Sequence, residues 1–299
     1  MKFYIVDAFT DTLFGGNPAG VVILEKGAAF PEEEVMRKTA AELRYSETAF
    51  INQTGEKEFH IRYFTPAAEV DLCGHATIGS FYALADAGLV NFGASYICNT
   101  LAGRLNIDLS NGSVLMDMGV PQAIGRITEK ETLHELYAIM GICEEAQGEV
   151  LACERTGMML IPEMISTGLP DIMLPVRSEE ELAAITPDFP ALTKLSERYE
   201  VVGVHAFTVN TQDGAVHCRN FAPLYDIDEE AATGTSNGAL TYYLYKNGLL
   251  SPGTDNLFIQ GEAMDRPSKI TSRLTAFGDN IKIQVGGNAV ILACGEIKL

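Results

Sequence analysis

The strongest constraint on the fold is an internal duplication. Residues 62–88 carry Arg-Tyr-Phe-Thr-Pro, then Asp-Leu-Cys-Gly-His-Ala-Thr, then an apolar helical stretch. Residues 219–248 carry Arg-Asn-Phe-Ala-Pro, then Ala-Thr-Gly-Thr-Ser-Asn-Gly, then a second such stretch. Arg62, Phe64 and Pro66 match Arg219, Phe221 and Pro223 at an offset of 157 (223 − 66). Ala49-Phe50 and His60 match Ala206-Phe207 and His217 at the same offset. The second copy then gains three residues, and Gly74, Tyr82, Leu84 and Gly88-Leu89 match Gly234, Tyr242, Leu244 and Gly248-Leu249 at 160 (234 − 74). The period is far too long for a stacked repeat. It implies two homologous domains, expected at 1–119 and 120–286, with the C-terminal strand 287–299 completing the first.

Composition narrows the partners. The 299 residues are 47% hydrophobic, enough to build two globular cores. A net charge of −19 argues against nucleic acid and against an anionic membrane surface, because both need basic patches. The six cysteines (73, 98, 143, 153, 218, 294) show no Cys-x-x-Cys spacing and are too scattered for a disulfide framework. The N-terminus enters a strand pattern at once, and no stretch is long and apolar enough to span a bilayer. A cytoplasmic protein is expected.

Along the chain, Lys2–Phe9 reads as a strand. Gly15–Gly20 is a turn-rich loop before strand Val21–Leu24, and Gly168-Leu169-Pro170 precedes Ile172–Val176 in the same manner. Pro31 opens a helix with Glu32, Glu33 and Glu34 in its first turn and an inner stripe of Met36, Ala40 and Leu43. Ala49–Asn52 and Phe59–Phe64 read as a hairpin pair. Gly74–Ala87 and Gly234–Lys246 are helices closed by Gly88 and Gly248. Thr128-x-x-Glu131 and Ser178-x-x-Glu181 are capping-box patterns. The two duplicated helices carry apolar residues on most faces, so each is expected to be buried all round. The fold class is therefore α+β: two pseudo-symmetric domains, each a curled, mainly antiparallel sheet around a central helix.

The combination Val6-Asp7-Ala8-Phe9, Gly16-Asn17-Pro18, Ser46-Glu47-Thr48, Phe64-Thr65-Pro66, Cys73-Gly74-His75 and Ala231-Ala232-Thr233-Gly234 resembles the phenazine-biosynthesis PhzF-like isomerase family, within the diaminopimelate-epimerase-like fold. The resemblance implies a cofactor-independent isomerase whose site lies between the two domains. In the characterised isomerase of that family a glutamate of the Ser-Glu motif shuttles a proton along a dihydro-hydroxyanthranilate substrate. That role would fall on Glu47, with His75 beside it. Substrate binding would fall on Asn17, Cys73, Gly74, Glu230, Thr233, Gly234 and Thr235. The family's usual aspartate and serine are replaced by Glu230 and Thr235, which keep charge and hydroxyl but change reach. Related epimerases use one cysteine per domain. Here Cys73 occupies the first position and Thr233 the second.

The residues themselves support parts of this reading. Gly74 and Gly234 each stand where a helix begins, and first-turn N–H groups without intrahelical partners bind anions. Glycine at that point lets a ligand approach the backbone. Two such ends facing one cleft would hold a carboxylate or stabilise the charge left when a proton departs. The alternative is that these glycines only ease packing. Glu47 has no ionisable counterpart, since position 204 is Val, and Cys73 and His75 face Thr233 and Thr235. Ionisable groups concentrated in one half suit one base better than two. Against this stand a solvated Glu47, a His75 that only holds the helix entry and an inert buried Cys73. His60 and His217 recur at matched strand positions and are expected to be structural. The expected partner is a small-molecule carboxylate and, at most, a second copy of the chain in a homodimer. No metal or cofactor is expected. The competing functions are a two-domain amino-acid epimerase or racemase and a catalytically silent small-molecule binding protein.

Overall fold

The computed structural model describes residues 1–142, 151–153, 156–278 and 280–299. Cys143 lies outside the described residues. The chain divides into two compact units, Met1–Asp117 with Gly286–Leu299, and Met118–Val285.

In the first unit, Lys2–Ala8 pairs antiparallel with both Asn17–Ile23 and Ala289–Glu296. Asn17–Ile23 runs parallel to Thr48–Gln53, which pairs antiparallel with Glu58–Phe64. Glu58–Phe64 runs parallel to Ala94–Thr100, and two antiparallel ladders carry the sheet on through Gly103–Ser110 to Ser113–Asp117. Helix α1 (Glu33–Leu43) covers one face, where Met36 and Ala40 pack with Val22, Leu24, Phe50 and Phe64. Helix α2 (Gly74–Asp86) lies inside the curl, against strands 2–8, 17–23, 48–53, 113–117 and 289–296. Thr48–Ile51 is consequently buried without interruption, because helices cover both of its faces. From His75 to Phe81 every residue of α2 is buried, as an apolar sequence on all faces requires. Gly79 lets the helix close on the sheet: a Cβ there would stand 3.3 Å from Val6 Cβ.

The second unit repeats this order. Gln122–Arg126 pairs antiparallel with Glu163–Ser166, and that strand with Pro170–Pro175. Pro170–Pro175 runs parallel to Val204–Thr208, which pairs antiparallel with Val216–Ala222. Val216–Ala222 runs parallel to Asp255–Gln260, which pairs antiparallel with Ser268–Phe277. Parallel pairs thus fall at matching places in both units. Helices α3 (Lys130–Ile139), α4 (Glu179–Ala184) and α5 (Phe189–Tyr199) share one outer core with Ile172, Leu174, Val204, Ala206 and Phe221. Helix α6 (Gly234–Lys246) takes the inner place, against strands 163–166, 170–175 and 268–277. Gly248 and Gly88 adopt φ +67° and +73°, the left-handed stop expected after each central helix.

Two helix starts differ from expectation. Helix α1 begins two residues after Pro31, at Glu33. Helix α3 is capped by Glu129 with no side-chain cap bond, so the Thr128/Glu131 capping box does not form. Ser178 does cap α4 and accepts from Glu181 N at 3.3 Å, but the Glu181 carboxylate accepts from the N–H of Arg177 instead of that of Ser178. No helix among the described residues is long and apolar enough to cross a membrane.

Candidate active site

Helix α2 begins at an extended N-cap, Cys73, that makes no side-chain cap bond. Thr77 N–H is the first to find an intrahelical acceptor, Cys73 O at 3.0 Å, so the N–H groups before it are left for other partners. Gly74 has no positive φ, so a strained backbone is not the reason for glycine there. Ser46, Glu47 and Asn17, from loops and strand ends, converge on this helix start. Glu47 stands one residue before strand 48–53, whose parallel register sets Thr48 beside Gly20. Asn17 opens the neighbouring strand and is delivered by Gly16, whose φ of +63° and 2.1 Å Cβ approach to Ala8 O exclude a side chain. Asp7, buried, anchors the loop before it by accepting from Phe14 N–H at 3.0 Å.

The His75 ring is the hub. Its Nε2 lies 3.1 Å from Glu47 Oε2 and 3.4 Å from Ser46 Oγ. Its Nδ1 lies 3.1 Å from the Asn17 amide, and Cys73 Sγ lies 3.4 Å from Nδ1 and 3.6 Å from Nε2. His75, Cys73 and Asn17 are buried, and the Glu47 side chain is 13% exposed. Glu47 Oε2 is itself buried and has no aligned donor in hydrogen-bond geometry.

Burial pushes the Glu47 carboxyl up, but His75, Ser46 and Cys73 outweigh it and hold the group below the usual carboxylate range. Burial pushes His75 down, and its contacts with Cys73 and Glu47 more than reverse this, to well above the ordinary imidazole value. Burial, then the nearby Glu47 charge, pushes the Cys73 thiol up to about 12. At neutral pH Cys73 is therefore a neutral thiol, and the Glu47 carboxylate is the charged neighbour that raises His75. The Asn17 amide is placed with Nδ2 towards Nδ1, which suits a neutral ring. An imidazolium donates from both nitrogens, so a protonated His75 requires Oδ1 of that amide towards Nδ1 instead.

At the start of α6 the same backbone carries different chemistry. Thr233 is the N-cap, Gly234 follows without a positive φ, and Thr235 is half-buried. Thr233 Oγ1 donates to Asn220 Oδ1 at 3.2 Å and lies 3.5 Å from Glu230 Oε2, so its one proton serves Asn220. Gln260, fully buried, ties the segment down. Its Nε2 donates to Glu230 O at 2.7 Å and to Thr233 Oγ1 at 3.1 Å. Its Oε1 accepts from Asn237 Nδ2 at 2.8 Å and from Thr233 N–H at 3.3 Å. Deeper, Asn220 Nδ2 donates to Ser236 Oγ at 3.2 Å and approaches His205 Nδ1 at 3.3 Å, and Ser236 donates to Asp171. Burial lifts Asp171 to about 6 and drops His205 to about 3, so His205 is neutral at neutral pH.

Asn17, Glu47, Cys73, Gly74 and His75 thus meet at one helix start, and Glu230, Thr233, Gly234 and Thr235 meet at the other. The sequence reading missed Gln260, Asn220, Ser236 and Asp171. The duplication contains a signal for Asn220: at offset 157 it replaces Tyr63, whose hydroxyl bonds Thr77 Oγ1 at 2.7 Å in the first unit. His60 and His217 stand away from both helix starts, against Phe30 and between Asp213 and Glu262.

The family model for phenazine biosynthesis-like proteins (PhzC-PhzF) matches residues 6–295. The chain belongs to this family. Relatives cover nearly all of its length. An uncharacterized isomerase from Deinococcus radiodurans is 34% identical, covering 97% of this chain and 92% of its own. The trans-2,3-dihydro-3-hydroxyanthranilate isomerase of Pseudomonas chlororaphis is 28% identical, covering 99% of both chains. Among solved structures, a PhzF-family protein from Bacillus anthracis superposes with a TM-score of 0.85 at 26% identity, over 100% of this chain and 99% of that one. A hydroxyproline epimerase from Agrobacterium vitis shares the fold, with a TM-score of 0.60 at 14% identity over 99% and 91%. Isomerase chemistry is thus attached to the PhzF family to which the chain belongs.

Proposed function

We propose that the protein is a cofactor-independent isomerase that moves a proton within a small carboxylate-bearing metabolite, with Glu47 as the base. The observation that carries this reading is Glu47 Oε2, a buried carboxylate oxygen 3.1 Å from His75 Nε2 that no donor engages in hydrogen-bond geometry. A carboxylate in that state can take a proton from a carbon acid and return it to a second carbon of the same substrate.

The charge balance favours the step. Before transfer Glu47 and His75 form a neutral pair. When Glu47 accepts the proton, the imidazolium is left without its counter-charge while negative charge develops on the substrate. The cation and the open N–H groups of α2 then stabilise that charge in a site largely closed to water. Asn17 and Ser46 hold the ring, and Gly74 leaves the helix start open to the substrate. Cys73, a neutral thiol, contributes shape. Glu230, Thr233, Gly234 and Thr235 are assigned to substrate contact. Glutamate and threonine reach differently from the aspartate and serine usual in the family, which favours a substrate other than that of the phenazine enzyme.

The reading is tested by incubating the protein in heavy water with trans-2,3-dihydro-3-hydroxyanthranilate and a panel of small unsaturated and amino carboxylates. One deuterium entering a substrate together with its isomerisation is the expected result. Binding without exchange across the panel would favour a silent binding protein. Exchange at a stereocentre with inversion would favour an epimerase.

A further inference from the structure

We propose that the same cluster is a binding site for a thiophilic divalent cation of the zinc type, held by Cys73 Sγ, His75 Nε2 and Glu47 Oε2, and that the bound ion switches the isomerase off. One donor atom from each of these residues lies within 4.8 Å of the others. Nε2 lies 3.1 Å from Oε2 and 3.6 Å from Sγ, the first a few tenths of an ångström shorter than, and the second close to, the donor–donor edges of about 3.3 and 3.6 Å that follow from tetrahedral zinc with its usual bond lengths. Sulfur, imidazole and one carboxylate form a donor set that zinc accepts. Asn17 engages the other ring nitrogen and fixes the orientation of Nε2, the supporting contact that ligating histidines ordinarily have. Glu47 Oε2 brings a buried lone pair that no aligned donor occupies. With three protein ligands the fourth position is left to water.

Binding breaks the S–H bond of Cys73 and the Nε2–H bond of the imidazolium while the metal–sulfur and metal–nitrogen bonds form. Two protons pass to buffer, and no electron is transferred. Glu47 then shares its electron pair with the metal and cannot accept a proton from carbon. The inhibitory consequence rests on the acid–base reading given above, whereas the binding site does not.

The probe is Co²⁺ added to the metal-free full-length protein, read by near-ultraviolet absorption and by equilibrium dialysis, with Zn²⁺ as competitor. A saturable thiolate-to-cobalt charge-transfer band at one ion per chain is expected, displaced by Zn²⁺. It should vanish in Cys73→Ser and weaken at least tenfold in apparent affinity in Glu47→Gln. Cys294 is exposed, so Cys294→Ser is the control and should retain the band. If Cys73→Ser does not fold, the Cys294→Ser and Glu47→Gln results decide. No band in the wild type overturns the site, as does a band that survives in Cys73→Ser or disappears in Cys294→Ser. Stoichiometric Zn²⁺ that leaves deuterium exchange unchanged overturns the switch alone. Absence of any exchange without metal would count against the isomerase reading and leave the spectroscopic result standing.

Discussion

The starts of α2 and α6 are the same piece of backbone used twice, and they differ in what ionises. Around α2 stand Glu47, His75 and Cys73, a carboxylate, an imidazole and a thiol gathered about the His75 ring. Around α6 stand Thr233, Asn220, Gln260 and Ser236, which carry no charge, with Glu230 at the edge and Asp171 buried beneath. Charge in the first unit is held in a pair that can change its protonation state. In the second unit amide and hydroxyl dipoles saturate one another and fix the geometry. The duplication thus kept a helix start and changed what surrounds it: under the proposed function the first copy moves the proton, and the second holds its geometry.

The sharpest test of that rigidity is Gln260→Leu. It removes five hydrogen bonds, the longest from Cys218 Sγ, and leaves Thr233 N–H, Asn237 Nδ2 and Glu230 O in a buried place without their amide partner. At about 1–3 kcal/mol for each buried group, the loss should be about 4 kcal/mol or more. Chemical denaturation should show it, and a loss below about 1 kcal/mol would mean the clamp is ornamental. Next is His75→Asn, which removes the cation but keeps a polar side chain. Turnover should fall about 100-fold, with folding retained. If kcat is unchanged, the imidazolium does not stabilise charge on the substrate.

The third test concerns pH. Asp171 has a folded pKa of about 6, above the ordinary carboxylate value, so its cost is absent at low pH and grows as pH rises from about 4 to about 6. His205 has a folded pKa of about 3, below the ordinary imidazole value, so its stability is complete above about 6.5 and is lost as pH falls towards 3. Between pH 4 and 6 the two slopes are opposite and offset one another. Asp171→Asn removes one of them. Relative to the wild type, its stability should rise with pH in that window by about 1.4 kcal/mol per pH unit. Parallel stability curves for the two proteins would contradict the assignment. The smallest effect is expected for Cys73→Ser, whose turnover should change less than tenfold, because a thiol with a pKa near 12 is not the base. Full inactivation of a folded Cys73→Ser protein would turn the first unit into a thiol site.

Much of this was legible in the sequence, for identifiable reasons. The central helices were readable because 74–86 and 234–246 are apolar on most faces and end at glycines with positive φ. Glu47 and His75 stood out because the duplication left them without ionisable counterparts. The capping box at Thr128 was misread, since the pattern fits a helix one residue away from where α3 begins. Gln260 was invisible because it is an unremarkable strand residue by composition. Its importance arises from the register that sets Cys218 opposite it, beside Asn237 and Thr233, a long-range pairing that no local pattern encodes. The protonation states were also beyond the sequence. Burial and the partners of Glu47 oppose each other, and only the distances decide which prevails.

The central claim is that Glu47 carries the proton, and it is tested most directly by solvent-deuterium incorporation in wild type and Glu47→Gln on the same turned-over substrate. Glutamine keeps the size of the side chain and cannot serve as the base. The account predicts a folded variant that binds the substrate and exchanges and isomerises about 100-fold more slowly or worse. Exchange and isomerisation at the wild-type rate would make Glu47 a structural partner of His75 and pass the role of base to Glu230.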